Sequence, residues 1–271
     1  MQISERNNKN VNNNVLSENA VSIADILYDK LDLNRNVYRS YIQNKEKFSW
    51  QVIYKYTDLL ISSDKDIKSK IEKPLKKIYE ELEFVIKKDP PFLKSLSPVT
   101  IKSFFSPIIK KMCRLSEPFN VGPMASVAGT VNDFIADHLI RYCSSLLIEN
   151  GGDLFLYSKR DLKVGVYLKN PYFKNKLVLK ISVKDMPCGL CSSSSVFGHS
   201  LSLGKCDLAI AMAKSSIIAD AGATAIANSI ITADDIEKSM DYFMRIGDLK
   251  GLLIVKDDKI GIWGSIELCK N

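Results

Sequence analysis

The chain has 271 residues, of which 46% are apolar and 25% are charged, and 38 lysines and arginines face 31 acidic residues. These values are typical of a globular protein of one or two domains and exclude wholesale disorder, collagen and coiled-coil architectures. The net charge of +7 is a weak indication of an anionic ligand. No run of about twenty apolar residues and no signal-peptide core is present, so we expect a cytoplasmic protein that does not enter the membrane.

The N-terminal part of the chain divides into an arm and a strand–helix unit. Residues 1–20 are rich in asparagine and hold too few apolar residues to offset the entropy of ordering, which predicts a disordered arm. From Phe48 to Ile61, aromatic and β-branched residues predict strand structure. After Asp64, apolar residues recur at helical spacing as far as Val85, and Pro74 within this pattern favours a break or a kink.

The rest of the chain predicts runs of strands and runs of helices. This order favours an α+β fold with an antiparallel or mixed sheet flanked by helices. We expect a single domain over residues 21–271, with the strand–helix unit at about 36–118 and a core at about 119–271. The predicted helices lie near residues 106–116, 216–230 and 234–245, and the predicted strands near 145–148, 154–157, 164–168, 177–183, 252–255 and 260–263.

The segment Glu149-Asn-Gly-Gly-Asp153 lies between two predicted strands. Gly151 and Gly152 permit positive φ angles and a close approach of a ligand to the backbone. The carboxylate of Asp153 can accept hydrogen bonds from sugar or base donors. A plain hairpin turn explains the same residues equally well, so both interpretations stay open.

Asp220 and Thr224 lie four residues apart in a predicted helix that is rich in alanine and glycine, so both face the same way. A carboxylate and a hydroxyl at this spacing, completed by a backbone carbonyl and phosphate oxygens, suit a hard cation such as Mg²⁺. Taken alone, the motif is explained better by tight packing of small residues. Its association with the neighbouring motifs favours the metal site.

A long segment rich in glycine and serine runs from Cys188 to Asp207. A loop of this length in a compact chain is typical of a functional site, and its hydroxyl and amide groups suit oxyanions. His199 is a candidate general acid or base, or a residue simply held by hydrogen bonds in the loop. The candidate phosphate ligands are Ser192, Ser193 and Ser194.

Cys188 and Cys191 form a C-x-x-C motif. A zinc site needs two more ligands, and only Cys206 and His199 lie near in the sequence, without standard spacing. A redox pair needs a βαβ setting that the pattern lacks. Buried or unreactive thiols are the better interpretation, although Cys191 beside His199 is also a candidate nucleophile.

Several familiar motifs are missing from the chain. It has no G-x-x-x-x-G-K-[ST] phosphate loop, no G-x-G-x-x-G after a strand, no G-x-S-x-G elbow and no H-E-x-x-H. Kinase, Rossmann dehydrogenase, α/β-hydrolase and zincin functions therefore lose their support. The lysines alternate with acidic residues instead of forming one basic face, so we expect no nucleic-acid partner.

Four motifs, in this order, resemble those of a prokaryotic family of uncharacterised proteins related to ApbE, the FAD:protein FMN transferase. They are V-G-P-M-A-S-V-A-G at 121–129, E-N-G-G-D at 149–153, C-S-S-S-S-V-F-G-H-S-L-S-L-G-K at 191–205 and A-D-A-G-A-T-A-I-A-N at 219–228. The closing G-I-W-G-S-I-E-L at 261–268 is similar too. The resemblance runs from about Asn36 to the C-terminus, and a thinner one to the flavin transferases themselves covers roughly residues 120–235.

The resemblance implies an ApbE-like α+β fold, a cleft for a flavin nucleotide such as FAD or FMN, and Mg²⁺ near its pyrophosphate. In the transferases, a helix-borne Asp and Thr help to bind Mg²⁺, and these match Asp220 and Thr224. The other site residues implied by the resemblance are Gly151, Gly152 and Asp153 of a flavin-binding turn, Ser193, Ser194 and His199 of a Thr-Ser-Gly-like loop, and Gly129 at the opening of a helix.

Two positions depart from the transferases: Ala128 stands where they carry a lysine, and the Asp-Pro element after their histidine is absent after His199. Three functions therefore stay open. One is Mg²⁺-dependent transfer of FMN from FAD to a hydroxyl of an acceptor protein. The second is non-catalytic binding or sensing of a phosphorylated metabolite in the same cleft. The third is a different enzyme reaction that uses Cys191 and His199.

Overall fold

The computed structural model describes residues 2–5, 46–168, 170–173, 177–195, 204–246 and 248–269. In this part of the chain, nine antiparallel strands form one sheet in the order β1-β2-β3-β4-β5-β8-β9-β10-β11, and three more form a second sheet in the order β12-β7-β6. The predicted α+β fold with antiparallel sheets flanked by helices is confirmed. The strands are β1 (Gln2–Glu5), β2 (Phe48–Tyr54), β3 (Thr57–Ser63), β4 (Leu146–Asn150), β5 (Asp153–Tyr157), β6 (Leu162–Gly165), β7 (Val178–Ile181), β8 (Cys188–Ser193), β9 (Leu208–Ala213), β10 (Leu249–Lys256), β11 (Lys259–Gly264) and β12 (Glu267–Cys269).

The large sheet packs against a different layer on each face. In β9, the large side chains Leu208, Ile210 and Met212 join the apolar cluster that faces the three-stranded sheet. The alanines between them join the cluster that faces the helices. Because successive side chains of a strand point to opposite faces, the sequence LAIAMA supplies large residues to one layer and small residues to the other. The small residues allow a helix to lie close to the sheet.

The helices of the described chain pack on one face of the large sheet. They form two apolar clusters there, one with β2 to β5 and one with β9 and β10. Every residue from Ser216 to Ala227 of α5 is buried, so this Ala/Gly-rich helix is central to the core. The helices are α1 (Lys68–Lys88), α2 (Pro91–Lys94), α3 (Pro107–Ser116), α4 (Val127–Leu139), α5 (Ser216–Ser229) and α6 (Asp235–Phe243).

The strand–helix unit follows the sequence pattern, with one correction. Residues 48–63 form the hairpin β2–β3, and the apolar residues of helical period bury one face of α1. Of the break or kink predicted at Pro74, the break is absent, because α1 continues through this residue, while the kink stays a prediction. Pro74 is itself buried, and its neighbours Leu75 and Ile78 are fully buried in the core. Burial of this face therefore outweighs the loss of one backbone hydrogen bond.

Two further segments differ from the sequence prediction. The predicted loop at 188–207 begins instead with β8, a buried strand whose glycine, cysteine and serine residues have little intrinsic strand propensity. Residues 2–5, placed in the disordered arm, form β1 beside β2, because the edge of β2 offers unpaired backbone groups. The remainder of residues 1–45 lies outside the described residues, and the division into an arm and one domain stays a prediction.

Across the described segments, we find no helix with the length and apolar character of a membrane span.

Candidate functional site

Gly151 and Gly152 form the turn of the β4–β5 hairpin. Their φ angles are 67° and 102°, which residues with a side chain rarely adopt. The Gly152 amide donates a hydrogen bond of 3.0 Å to Oε1 of Glu149 at the end of β4. The simpler interpretation of this motif as a hairpin turn is therefore correct, and its role in binding a ligand stays a prediction.

Asp153 connects this turn to the neighbouring elements. Its Oδ1 accepts a hydrogen bond from the Ser192 amide at 3.1 Å, and Oγ of Ser192 donates to the Gly152 carbonyl at 3.2 Å. From α4, Nδ2 of Asn132 donates to the Asp153 carbonyl at 3.0 Å. The turn, the end of β8 and α4 thus meet at one point.

Helices α4 and α5 hold each other's N-termini. Oδ2 of Asp220 in α5 accepts a hydrogen bond from the Gly129 amide at 2.8 Å, and the Ala128 amide bonds to the same carboxylate. In the other direction, Asp133 in α4 accepts bonds from the Ser215 hydroxyl and, at 2.8 Å, from the Ser216 amide. Each carboxylate satisfies amides that a helix leaves unpaired at its start. Asp220 therefore has a structural role besides any role in binding.

Gly129 is required for this contact between helices. A Cβ at this position would lie 2.2 Å from the Ser216 carbonyl oxygen and 2.9 Å from Cβ of Asp220. The absence of a side chain brings α4 and α5 close enough for the Gly129 amide to reach Asp220. The structure thus gives Gly129 a packing role, while the predicted contact with a cofactor stays a prediction.

Asp220 and Thr224 lie one turn apart on α5, as their spacing predicts. Oγ1 of Thr224 donates to the Ala125 carbonyl at 3.3 Å, so a hydroxyl and a carbonyl oxygen lie together beside this turn. In the described chain, no group of three or more His, Cys, Asp or Glu residues could hold a metal ion. A cation here would be held by one carboxylate with hydroxyl and carbonyl oxygens, a donor set that fits Mg²⁺ and suits neither zinc nor iron.

Two buried carboxyl groups, those of Asp153 and Asp220, interact between the hairpin turn and α5. Burial raises the pKa of Asp220 to about 7, although the Gly129 and Ala128 amides oppose this shift. Burial, and then the charge of Asp220, raise the pKa of Asp153 well above its usual range. No lysine or arginine of the described chain pairs with either carboxylate. The two buried acidic groups therefore interact with each other, and neither forms an ion pair with a lysine or arginine of the described segments.

The two cysteines of the C-x-x-C motif lie on opposite faces of β8. Cys188 belongs to the cluster that faces the small sheet, whereas Cys191 belongs to the cluster that faces α5. Residues three apart in a strand point in opposite directions, so the two thiols form neither a disulfide nor a joint metal site. All six cysteines of the chain are free. Gly189, between them, lies under α5, where a Cβ would be 2.4 Å from Cα of Ser216.

Cys191 interacts with the buried carboxyl groups of Asp153 and Asp220. It is fully buried, and its Sγ donates to the Ser216 carbonyl at 3.5 Å. Burial and the charges of Asp153 and Asp220 raise the pKa of the thiol well above its usual range. A buried and protonated thiol is a poor nucleophile, so this geometry does not favour the enzyme that uses Cys191.

The serines at the end of β8 have different surroundings. Oγ of Ser193 is buried and has no hydrogen-bond partner among the described residues, on the same strand face as Cys191. Oγ of Ser194 donates instead to the Asp207 carbonyl at 2.7 Å. His199 lies outside the described residues, so its predicted role stays a prediction.

Asn132 contacts the turn of the site and Asp133 caps α5 beside it, and no spacing pattern in the sequence indicates either residue. Asn132 is fully buried, and its Oδ1 has no partner within the described segments. The available signal was a pair of adjacent polar residues between the apolar Val131 and Phe134, because buried polar groups require partners. The partners themselves lie about twenty residues or more away in sequence, beyond the reach of a local pattern.

Comparisons with known proteins agree with these features. A family profile described as AbpE bacteria matches residues 39–244. The UPF0280 protein of Methanocaldococcus jannaschii is 36% identical over 230 residues, which cover 82% of this chain and 93% of the relative. The UPF0280 protein of Methanococcus vannielii is 37% identical over 229 residues, which cover 82% and 92%.

Solved structures show a similar fold. The flavin transferase ApbE from Vibrio cholerae has a TM-score of 0.53 at 13% identity, over 80% of this chain and 96% of that chain. The Pseudomonas stutzeri flavinyl transferase ApbE in its apo form has a TM-score of 0.52 at 11% identity, over 80% and 93%. At these identities the likeness concerns the fold alone. With the profile match over most of its length, the chain belongs to the AbpE bacteria family and has an ApbE-like fold.

Proposed function

We propose that the region between the β4–β5 turn, the end of β8 and α5 binds a flavin nucleotide with Mg²⁺ and transfers FMN from FAD to a hydroxyl of an acceptor protein. The observation that carries this proposal is the buried pair Asp153 and Asp220, which has no cationic partner in the described chain. Burying charged groups without a partner costs several kcal/mol, by order of magnitude, which a bound cation offsets. The relatives described as flavin transferases support the same ligand class.

Asp220, Thr224 and the carbonyl of Ala125 would hold the cation. When bound, Mg²⁺ would neutralise charge on the pyrophosphate oxygens of FAD. Asp220 would need its charged form for this role, and its Gly129 and Ala128 amide bonds already favour that form.

The remaining residues of the site would bind and orient the nucleotide. The turn at Gly151 and Gly152 lets a flat ring approach the backbone, and Asp153 would orient the isoalloxazine or the ribose. Oγ of Ser193 has no partner among the residues that the structure describes, which supports a contact with phosphate oxygens, with Ser192 and Ser194 beside it. In the transfer, the acceptor hydroxyl oxygen bonds to the FMN phosphorus, the pyrophosphate bond breaks and AMP leaves. His199 would take the hydroxyl proton.

Calorimetry on the full chain with FAD, FMN and ADP, each with and without Mg²⁺, tests the binding. We expect FAD to bind with a Kd on the order of micromolar when Mg²⁺ is present. In Asp220→Asn the side-chain oxygen can still accept the helix amides, so the fold is kept while the affinity falls by about 10-fold or more. Asp133→Asn is the matched control, which removes a buried charge at the other helix start and leaves the affinity unchanged. The absence of heat with all three nucleotides would exclude a flavin site.

One observation favours the second function, a binding or sensing protein without transfer. Ala128 has only a methyl side chain, and its backbone amide bonds to Asp220. It therefore supplies no positive charge that could bind the phosphates, unlike a lysine at this position. Incubation with FAD, Mg²⁺ and candidate acceptor proteins separates the two functions. A transferase gives flavin fluorescence that survives denaturing electrophoresis, whereas a binder with the same affinity gives none.

The acceptor protein and the cytoplasmic location stay proposals, and six free thiols support a reducing compartment.

A further inference from the structure

Strand β11 forms one edge of the nine-stranded sheet and pairs only with β10 among the described strands. The two strands are joined by the two-residue turn Asp257-Asp258, and Lys256 and Lys259 form the pair next to this turn. Because hydrogen-bonded and non-hydrogen-bonded pairs alternate away from such a turn, Ile260 and Ile262 direct their backbone groups away from β10. No described loop bonds to these groups. Within the described residues, a short row of backbone donors and acceptors is therefore unpaired at this edge.

An open groove of about 690 Å³ lies beside this edge, between β11 and α6. Its apolar lining comes from Ile236, Met240 and Met244 of α6 and its C-terminal end, and Ile260 of β11 borders it. Methionine side chains adapt to partners of different shape. Ile262 and Met244 are each 36% exposed, so the edge and the end of the groove both reach solvent. The groove thus joins an apolar floor to an unpaired strand.

The rim of the groove is acidic. Asp234, Glu237 and Asp241 line it together with a single lysine, Lys259. Lys259 pairs with Asp234 at 2.8 Å, whereas no ion pair of the described residues involves Glu237 or Asp241. This local negative charge contrasts with the net charge of +7 of the whole chain. The complementary partner is one with basic side chains.

We propose that this groove binds an extended basic segment of another polypeptide, which adds as a strand alongside β11. Backbone bonds to Ile260 and Ile262 would hold the segment, alternate apolar side chains would enter between Met240 and Met244, and basic side chains would meet Glu237 and Asp241. A second copy of this chain is a poorer occupant, because two-fold pairing of β11 strands would bring the same acidic rims together. The surface shares no residue with the proposed flavin site.

Fluorescence anisotropy of the full chain with a labelled peptide of about eight residues, in which lysine and valine alternate, tests the proposal. A peptide with glutamate in place of lysine is the negative control. The double variant Glu237→Lys/Asp241→Lys is expected to weaken binding by about 10-fold or more, and more strongly at low salt. Asp248→Lys is the matched control: it reverses an exposed charge outside the groove and leaves the affinity unchanged.

A second pair of variants tests the strand addition itself. Ile262→Pro removes the outward N–H without a loss from the β10–β11 pairing and is expected to weaken peptide binding, whereas Ile262→Thr keeps that N–H and binds. Hydrogen exchange at residues 260 and 262 should slow when the peptide is bound. Absence of binding, equal binding by the charge-reversed variant, or unchanged exchange at these amides would overturn the proposal. A concentration-dependent dimer that Ile262→Pro abolishes would overturn it too, since a second copy would then be the occupant.

Discussion

Helices α4 and α5 each place an aspartate at the start of the other, but the two ends of this contact differ. Asp133 meets a hydroxyl and the amides of Ser216 and Ile217, and its hydrogen-bonding capacity is used within the fold. Asp220 meets two amides, and it also interacts with Asp153 and Cys191, which add a second buried carboxyl group and an uncharged thiol. The first end is complete as a helix cap. The second holds one more buried carboxyl group than a cap uses, and this group is the reason for proposing a binding site there.

The largest loss of stability is expected at the complete end. Asp133→Ala would leave the Ser215 hydroxyl and the Ser216 and Ile217 amides without their partner. Because these groups are buried, we expect the free energy of unfolding to fall by about 3 kcal/mol in urea titrations. Asp133→Asn keeps one oxygen acceptor and should lose only about 1 kcal/mol. An alanine variant as stable as the wild type would contradict the role of Asp133 as a cap.

The carboxyl group of Asp220 is expected to make the free energy of unfolding depend on pH. Its pKa is raised to about 7 in the folded protein, so its contribution is fully present below the unfolded pKa and is lost as the pH rises from about 4 through 7. Without metal, Asp220→Asn should be more stable than the wild type at pH 8, by on the order of 4 kcal/mol, and equally stable near pH 4. Added Mg²⁺ should stabilise only the wild type. Parallel pH profiles for the two proteins would contradict this assignment.

The smallest effect on stability is expected at Thr224. Its 3.3 Å bond to the Ala125 carbonyl is long, so Thr224→Val should cost at most about 1 kcal/mol. The same change removes a hydroxyl from the proposed cation site and should weaken FAD binding only when Mg²⁺ is present. Thr130→Val is a matched control, since Oγ1 of Thr130 donates to the Ser126 carbonyl at 2.7 Å within α4. Equal nucleotide binding by both variants, with and without Mg²⁺, would remove Thr224 from the site.

Local patterns in the sequence predict the elements whose residues have strong preferences. The helical period of α1 and the turn between β10 and β11 are both read from neighbouring residues. Strand β8 is missed because glycine, cysteine and serine favour a loop, and only its burial between β5 and β9 makes it a strand. Pro74 misleads for the same reason, since tertiary burial outweighs a local preference.

The sequence predicts those features of the site that depend on local spacing, and it misses those that depend on contacts between distant segments. The spacing of Asp220 and Thr224 predicts that they share a face of α5, which requires only helical geometry. The bond between Asp220 and Gly129 joins residues 91 positions apart, and no local pattern encodes it. The acidic surroundings of Cys191 likewise arise from three separate segments. Local motifs therefore indicate candidate site residues, whereas the fold determines which of these residues lie close enough to interact electrostatically.

Gly189 fixes the register of β8. In the observed pairing it opposes Phe155 on one side and Ala213 on the other, directly under Ser216. A slip by one residue in either direction would bring a side chain to this point, where even a Cβ collides with the backbone of α5. The same slip would turn Cys191 away from α5 and send the residues of the small-sheet core toward it. The absence of a side chain at Gly189 thus fixes the register that orients the polar site and both apolar cores. Any other pairing of β8 would disrupt all three together.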